Sequence, residues 1–426
     1  MRIEEHYNFP LLLRSEDNLR YHVMAKPAGS SCNLACTYCY YLSKATLPNG
    51  PGGGRICDEL LRRFIQQHIE GSTDQEVIFS WQGGEPTLMG LDFFQQILTL
   101  EKRYAKPGQV IQNDLQTNGT LITEEWCEFL KKNNFLVGLS IDGPRKIHDK
   151  YRFTEGLSPT FDKVVRTAEL LKQYAIPFNT LTCVNRYNAR KPIDIYRFLR
   201  REIGSTHIQY IPIVEYNGFE RRAPNKWDSA SLPVDGAAEA RPGDPNSIVT
   251  DWSVDPDDWG YFLCRTFDEW LKKDVGKVLV NHFESLAAQH AGLPPQICVY
   301  GEICGRALAF ENEGSIYSCD HYVYPEYCLG NIKHRHISDM VLSAKQTAFG
   351  LAKSKTLPRQ CRNCEYLNDC WGECPKNRFL RTQTGEPGLN YLCRGFKKYF
   401  RHAIPEVERI VADLRKNGPL QEKKRM

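Results

Sequence analysis

"GSSCNLACTYCYYL", Gly29 to Leu42, places Cys32, Cys36 and Cys39 in the spacing C-x3-C-x2-C with no fourth cysteine nearby. The run follows "YHVMAKP", which reads as a strand, so the cysteines stand at a strand's C-terminal end. Outward from there, strand and amphipathic helix alternate. Asp58 to Glu70 carries Leu60, Leu61, Phe64, Ile65 and Ile69 on one side. "EVIFSW" precedes a helix from Leu91 to Tyr104, and "QVIQNDLQ" precedes one opened by Thr123. "FLVGLSI" precedes "TFDKVVRTAELLKQY", "IPFNTLTCV" precedes "RKPIDIYRFLRREI", and "HIQYIPIV" comes last. Six strands joined by five helices predict parallel sheet, curled by right-handed crossovers into a partial (β/α)6 TIM-like barrel or laid out as a doubly wound sheet. The barrel is favoured because the unusual residues follow strands: the three cysteines, then "QGGEP" (Gln82 to Pro86), "QTNG" (Gln116 to Gly119) and "SIDG" (Ser140 to Gly143). Sites of parallel α/β barrels are built at that end, although Gly, Asn and Pro also serve there as plain turn formers.

The sequence has 426 residues, is 41% hydrophobic and carries a formal charge of +4. That predicts an ordinary globular protein of roughly two or three domains. The basic tail "QEKKRM" reads as solvated, so no nucleic-acid partner is expected. No segment approaches a membrane span, and the apolar run in "MRIEEHYNFPLLLRSEDN" is too short for a signal h-region, so a cytoplasmic protein without membrane contact is expected. In that compartment thiols stay reduced, and 16 cysteines point to metal ligation rather than disulfides.

Thiolates hold 4Fe-4S clusters by one sulfur per iron. Three close cysteines therefore cap three irons and leave the fourth open to substrate or cofactor. A zinc knuckle borrowing a distant fourth ligand is the other reading of this spacing. "CNLACTYC" followed by an aromatic, with "GGEP" after the next strand, resembles the radical S-adenosylmethionine (SAM) enzymes over about Tyr21 to Val214. The resemblance implies that the amino and carboxylate groups of SAM chelate the open iron. It also implies that Gly83, Gly84 and Glu85 lie against the methionine part, where glycine lets backbone approach closely. Ser140 and Arg152 match positions that contact the rest of the nucleoside, while an ion pair is the plainer reading of Arg152.

Residues 1–216 thus form the expected barrel domain. Residues 217–250, which begin "NGFERRAPNKWDSASLPVDGAAEARPGDPNS", lack any apolar period and predict a flexible insertion or lid. A helical linker over 251–297, with "DPDDWGYFLCRTFDEWLKKDV", leads into a cysteine-dense region at 298–400, and 401–426 predicts a C-terminal helix with a basic tail. Cys298, Cys304, Cys319, Cys361, Cys364, Cys370, Cys374 and Cys393 make two sets of four. Their spacing, with "CRNCEYLNDCWGEC" at its centre, resembles the SPASM extension of radical SAM enzymes, which holds auxiliary 4Fe-4S clusters. By that resemblance one cluster takes Cys298, Cys304, Cys319 and Cys374, and the other Cys361, Cys364, Cys370 and Cys393. Two zinc-ribbon sites with a folding role are the alternative. Of the remaining cysteines, Cys57, Cys127, Cys183, Cys264 and Cys328, three fall inside predicted helices or strands and read as buried small hydrophobes, and Cys328 as a bystander.

"FSWQGGEPTLMGLDFF", "LQTNGTLI", "FLVGLSIDGP", "SIYSCDHYVYPEYCLGNI" and "GLNYLC" together resemble the anaerobic sulfatase-maturating enzymes. Those enzymes oxidise one cysteine or serine of a sulfatase to Cα-formylglycine. The resemblance implies SAM and three 4Fe-4S clusters as cofactors, and an electron donor such as flavodoxin or ferredoxin. It implies as substrate an unfolded or nascent sulfatase polypeptide with a Cys/Ser-x-Pro-x-Arg segment. Asp320 matches the catalytic base, and Tyr41 and Gln82 match positions lining the substrate pocket. These residue types suit the chemistry: a 5'-deoxyadenosyl radical removes a hydrogen atom from Cβ, a carboxylate accepts the remaining proton, and an auxiliary cluster accepts the remaining electron. Glu215, Asp255, Asp257 and Asp258 are candidates to meet the substrate arginine. Two other readings share the cysteines. A SPASM enzyme forming thioether crosslinks in a precursor peptide needs no base at Asp320 and carries a peptide-binding domain ahead of the barrel. A zinc-stabilised interaction scaffold would contain zinc in place of iron and sulfide.

Overall fold

A computed structural model of the protein describes residues 21–47 and 53–417. The N-terminal run "MRIEEHYNFPLLLRSEDN" and the tail "QEKKRM" lie outside the described residues. The six expected strands are β1 (His22–Lys26), β2 (Glu76–Trp81), β3 (Val110–Thr117), β4 (Leu136–Ser140), β5 (Phe178–Val184) and β6 (His207–Pro212), and they pair in parallel in that order. The helices between them follow the apolar periodicity. Leu60, Leu61, Phe64, Ile65 and Ile69 of helix Asp58–Gly71 are all buried. Each such side chain contributes roughly 1.5–3 kcal/mol of burial. Thr123 caps helix Glu124–Lys132 by accepting from the Trp126 amide.

The sheet does not stop at six strands. β7 (Leu279–Val280) adds in parallel beyond β6, and β8 (Ala307–Glu311) adds in parallel beyond β1, with Lys26 opposite Glu311. β8 then turns into the antiparallel strands β9 (Ser315–Tyr317) and β10 (Cys328–Asn331), completing a ten-stranded sheet. The fold is a partial TIM-like barrel whose sheet continues into the cysteine-rich region. Phe64 stacks on Phe310 of β8 at 4.2 Å between ring centroids, so one helix covers strands from both halves of the chain.

Residues 217–250 lie against the cysteine-rich half. Tyr324 and Tyr327 donate from their hydroxyls to the carbonyls of Phe219 and Pro224 at 2.5 and 2.9 Å, and Val234 bridges to Arg381. The helix placed at 401 begins at Cys393 and runs to Asn417. It crosses helix Pro256–Leu271 at a point where a Cβ on Gly395 would meet the Pro256 carbonyl oxygen at 2.2 Å. Among the described residues no helix is long and apolar enough to cross a membrane.

One buried carboxyl makes stability depend on pH. Glu101 accepts from Asn113 Nδ2 at 3.0 Å, while its second oxygen has no hydrogen-bond partner. Burial pushes its pKa up from 4.5 to about 8. Because the folded value is raised, its contribution is fully present below about 4.5 and is lost as pH rises through about 8. We expect Glu101→Gln to flatten this dependence by an amount of order a few kcal/mol. Denaturant melts from pH 5 to 9 measure it, and a variant with the wild-type slope refutes the assignment.

Candidate active site

The ends of β1, β2 and β3 carry the first cysteine loop. Gly84 and Glu85 donate their backbone N–H groups to Gly29 and Ser31 carbonyls, each at 2.9 Å, so the "GGEP" turn is bonded directly to the loop. Gly83 sits at φ +115°, in the region glycine favours, and a Cβ on Gly84 would stand 1.9 Å from the Ser31 oxygen. The Glu85 carboxylate is buried and already engaged. It accepts from Thr87 N and Oγ1, Thr117 Oγ1 and Asn118 N at 2.6–3.1 Å. Asn118 in turn reaches Cys32 Sγ at 3.8 Å and Asn33 Oδ1 at 2.9 Å. Burial pushes the Cys32 and Cys36 thiols up to about 11 and about 12.

Behind the loop, Arg152 Nε donates to Asp142 Oδ2 at 3.0 Å and its Nη2 faces Cys183 Sγ at 3.8 Å. Tyr38 also donates to Asp142. Arg152 therefore sits in a buried ion pair beside Cys36, whose thiolate it favours. Ser140 Oγ accepts from Gln116 Nε2 at 3.1 Å, and the Gln82 amide donates to Ala25 at 2.8 Å.

Asp320, next to Cys319, comes to the same mouth. Its Oδ2 accepts from the Tyr40 hydroxyl and its Oδ1 is ion-paired with the Lys26 ammonium. The Lys26 ammonium therefore occupies Oδ1 by charge and hydrogen bonding, and both carboxylate oxygens are engaged. Burial alone would raise this carboxyl; Lys26 outweighs it, with help from His321 and Tyr40, and brings it down to about 2. Lys26 also lies 3.9 Å from the Tyr41 ring centroid. Tyr41 donates to Glu311 Oε2 at 2.5 Å, not to Asp320. Burial pushes Glu311 up to about 8, opposed by Lys26 and by the Tyr41 hydroxyl. Lys44 is fully buried with its ammonium 3.3 Å from the Tyr324 ring centroid, and burial pulls it down to about 7.

Of the four acidic candidates for an arginine, each already has a partner. Glu215 pairs with Lys376 at 2.5 Å, Asp258 with Arg190 at 2.9 Å and Asp257 with Arg394 at 3.5 Å, and Asp255 caps its own helix. Lys26, Tyr40 and Glu311 were not singled out by sequence reasoning. A charged residue closing an apolar strand, as in "MAKP", was the available signal for Lys26.

Several of the later cysteines lie near one another. Burial raises the Cys319 thiol, and Cys374 and Cys298 beside it raise it further; Cys374 is affected likewise by Cys304 and Cys298. In the same way Cys393 feels Cys370 and Cys361, and Cys361 feels Cys364. Cys361, Cys364, Cys370 and Cys393 line a cavity with Phe396 and Phe400. Among the described residues no three His, Cys, Asp or Glu side chains close on a point as ligands of a single ion do. Soft sulfur donors around an apolar volume suit a polynuclear iron-sulfur group. The loop between Cys370 and Cys374 holds Trp371, Gly372 and Glu373 at φ of +46°, +66° and +51°. Buried Arg378 steadies it by donating to the Trp371 and Gly372 carbonyls at 2.7 and 3.0 Å. His321 Nδ1 lies 3.8 Å from Cys374 Sγ.

Comparison with known proteins places these features. Residues 27–199 match the radical SAM superfamily, and residues 298–365 match SPASM, an iron-sulfur cluster-binding domain. The chain is 45% identical over 393 residues to a serine-type anaerobic sulfatase-maturating enzyme of Bacteroides thetaiotaomicron, covering 92% of each. It is 32% identical over 399 residues to a cysteine-type enzyme of Clostridium perfringens, covering 92% of this chain and 99% of the other. The solved structure of native anSMEcpe with bound AdoMet and Cp18Cys peptide superposes with a TM-score of 0.78 at 31% identity, covering 92% and 99%.

Proposed function

The chain belongs to the anaerobic sulfatase-maturating enzymes, radical SAM enzymes with a SPASM iron-sulfur domain, and from that premise we propose that it oxidises a serine of a sulfatase polypeptide to Cα-formylglycine with Asp320 as proton acceptor. The serine assignment rests on the serine-type relative at 45% identity, against 32% for the cysteine-type relative. The observation that carries the mechanism is the Asp320 carboxylate, buried at the mouth beside Cys319 and held there by Lys26 and Tyr40.

Cys32, Cys36 and Cys39 would hold the SAM-binding 4Fe-4S cluster, and the sets Cys298/Cys304/Cys319/Cys374 and Cys361/Cys364/Cys370/Cys393 two auxiliary ones. When bound, SAM and these clusters supply removal of one hydrogen atom from the substrate Cβ and acceptance of one electron. The protein's own residues do the rest. Gly83 and Gly84 bring backbone against the loop, and Glu85, its carboxylate occupied, offers SAM only its main chain. Arg152, paired with Asp142, acts from behind Cys36, and Ser140 lies at the neighbouring strand end.

Asp320 takes the hydroxyl proton. A carboxylate held far below neutrality is a weak base toward an ordinary alcohol. Loss of the Cβ hydrogen makes the hydroxyl more acidic, which suits transfer of its proton to a carboxylate. Gln82, at the end of β2, and Tyr41, beneath Lys26, line the substrate side of this mouth. A flavodoxin- or ferredoxin-type protein is the proposed electron donor.

The test is anaerobic turnover of protein reconstituted with iron and sulfide, using paired peptides that contain Ser-x-Pro-x-Arg or Cys-x-Pro-x-Arg. We expect the serine peptide to lose two hydrogens and gain an aldehyde in step with 5'-deoxyadenosine. Conversion of the cysteine peptide alone overturns the serine assignment. If 5'-deoxyadenosine forms while both peptides stay unchanged, the substrate class is wrong.

A further inference from the structure

Lys26 closes β1 with its side chain 3% exposed. Leaving an ammonium in such a place is costly unless charges or rings surround it. Here it touches Asp320 Oδ1 and the face of Tyr41, and it stands in strand register opposite Glu311. On the other side of the carboxylate, the Tyr40 hydroxyl takes Oδ2. We propose that Lys26 and Tyr40 are positioning residues, which together fix the place and orientation of the Asp320 carboxylate at the mouth.

Asp320 begins a one-turn helix, Asp320–Tyr322, in the cysteine-rich half. So short a segment does not by itself fix a side-chain rotamer. Both supports come from stiffer ground in the barrel half, Lys26 from the end of a strand paired on both sides and Tyr40 from the residue after Cys39. The Tyr40 ring is in turn flanked by His321 at 5.5 Å and by Tyr41 at 6.2 Å between centroids. The two contacts divide the work. Tyr40 occupies one oxygen and thereby sets rotation about the carboxylate bond. Lys26 holds the other by charge and contact from the end of β1, which sets where the carboxylate stands. They also tie the loop that follows Cys319 to the loop that holds Cys32, Cys36 and Cys39. The proposal rests on the reading of Asp320 as the proton acceptor.

The test compares full-length reconstituted wild type, Lys26→Met, Lys26→Arg, Tyr40→Phe and Asp320→Asn. For each, iron per chain, kcat and KM for the serine peptide, and the ratio of 5'-deoxyadenosine to formylglycine are measured. Lys26→Met is expected to lower kcat about 100-fold and Tyr40→Phe about 10-fold, parts of the full effect of a general base, with KM little changed. Iron content should hold, and 5'-deoxyadenosine should continue to form, so the ratio rises above that of wild type. Lys26→Arg should recover part of the kcat lost in Lys26→Met. A purely structural role would lower iron content and leave that ratio alone. Wild-type kcat and ratio in both Lys26→Met and Tyr40→Phe overturn the proposal if Asp320→Asn is inactive. A Lys26→Met protein that loses its iron, with Tyr40→Phe behaving as wild type, overturns it as well. If Asp320→Asn keeps full activity, the reading of Asp320 itself has failed.

Discussion

Asp320→Asn is expected to lower formylglycine formation by about 10²- to 10⁴-fold, the range a positioned general base contributes. The amide has nearly the shape of the carboxylate but has lost its charge and its strong proton acceptor. The amide keeps an oxygen that can accept from the Tyr40 hydroxyl and leaves Cys32, Cys36 and Cys39 in place, so 5'-deoxyadenosine should still be released when reductant and SAM are present. The variant also leaves Lys26 buried without its counter-charge. Removing one partner of a buried pair costs on the order of 3–5 kcal/mol, so a lower melting temperature should accompany the activity loss. Asp320→Glu separates the two effects, since it restores the charge to Lys26 and moves the acceptor. If Asp320→Asn turns over within twofold of wild type, the proton leaves by another route.

The second large effect belongs to Gly84. Its substitution by alanine would place a Cβ 1.9 Å from the Ser31 carbonyl oxygen and 2.8 Å from the Ser30 carbonyl carbon. Both are backbone atoms, and no rotamer change relieves them. Either the "GGEP" turn or the cysteine loop must move, breaking the Gly84–Gly29 and Glu85–Ser31 hydrogen bonds. We expect a loss of about 3 kcal/mol, at the upper end for overpacking. Iron should fall by the share of one cluster, and SAM cleavage should disappear while the auxiliary sets remain loaded. Gly108→Ala is the control. That glycine has φ +83° with open space around a Cβ, so only the left-handed penalty of roughly 1–2 kcal/mol applies. Iron content and SAM cleavage at wild-type levels in Gly84→Ala would show that the loop does not depend on this approach.

Local patterns were readable where neighbouring residues decide the outcome. The stripe from Leu60 to Ile69 is one helix face, the Thr123 cap is one turn long, and β1 to β6 form at the short strand-like runs between the amphipathic helices. The cysteines were readable for a different reason. Clustered thiols carry a spacing that isolated ones lack, and Cys127, Cys183 and Cys264, which stand apart in helices or strands, are buried. The acidic candidates for substrate arginine were less legible, because Glu215, Asp257 and Asp258 find their cations, Lys376, Arg394 and Arg190, far away along the chain.

From the sequence alone followed the parallel strand-helix units of the barrel. Tertiary structure decided how the halves meet. β8 joins β1 with Glu311 opposite Lys26, and Tyr40 reaches Asp320 across 280 residues. A strand edge accepts any partner that supplies N–H and C=O groups, and a lone Lys or Tyr carries no periodic signal. Only burial in one low-dielectric mouth makes Lys26, Tyr40 and Asp320 a unit, because there a charge must find its partner inside the protein.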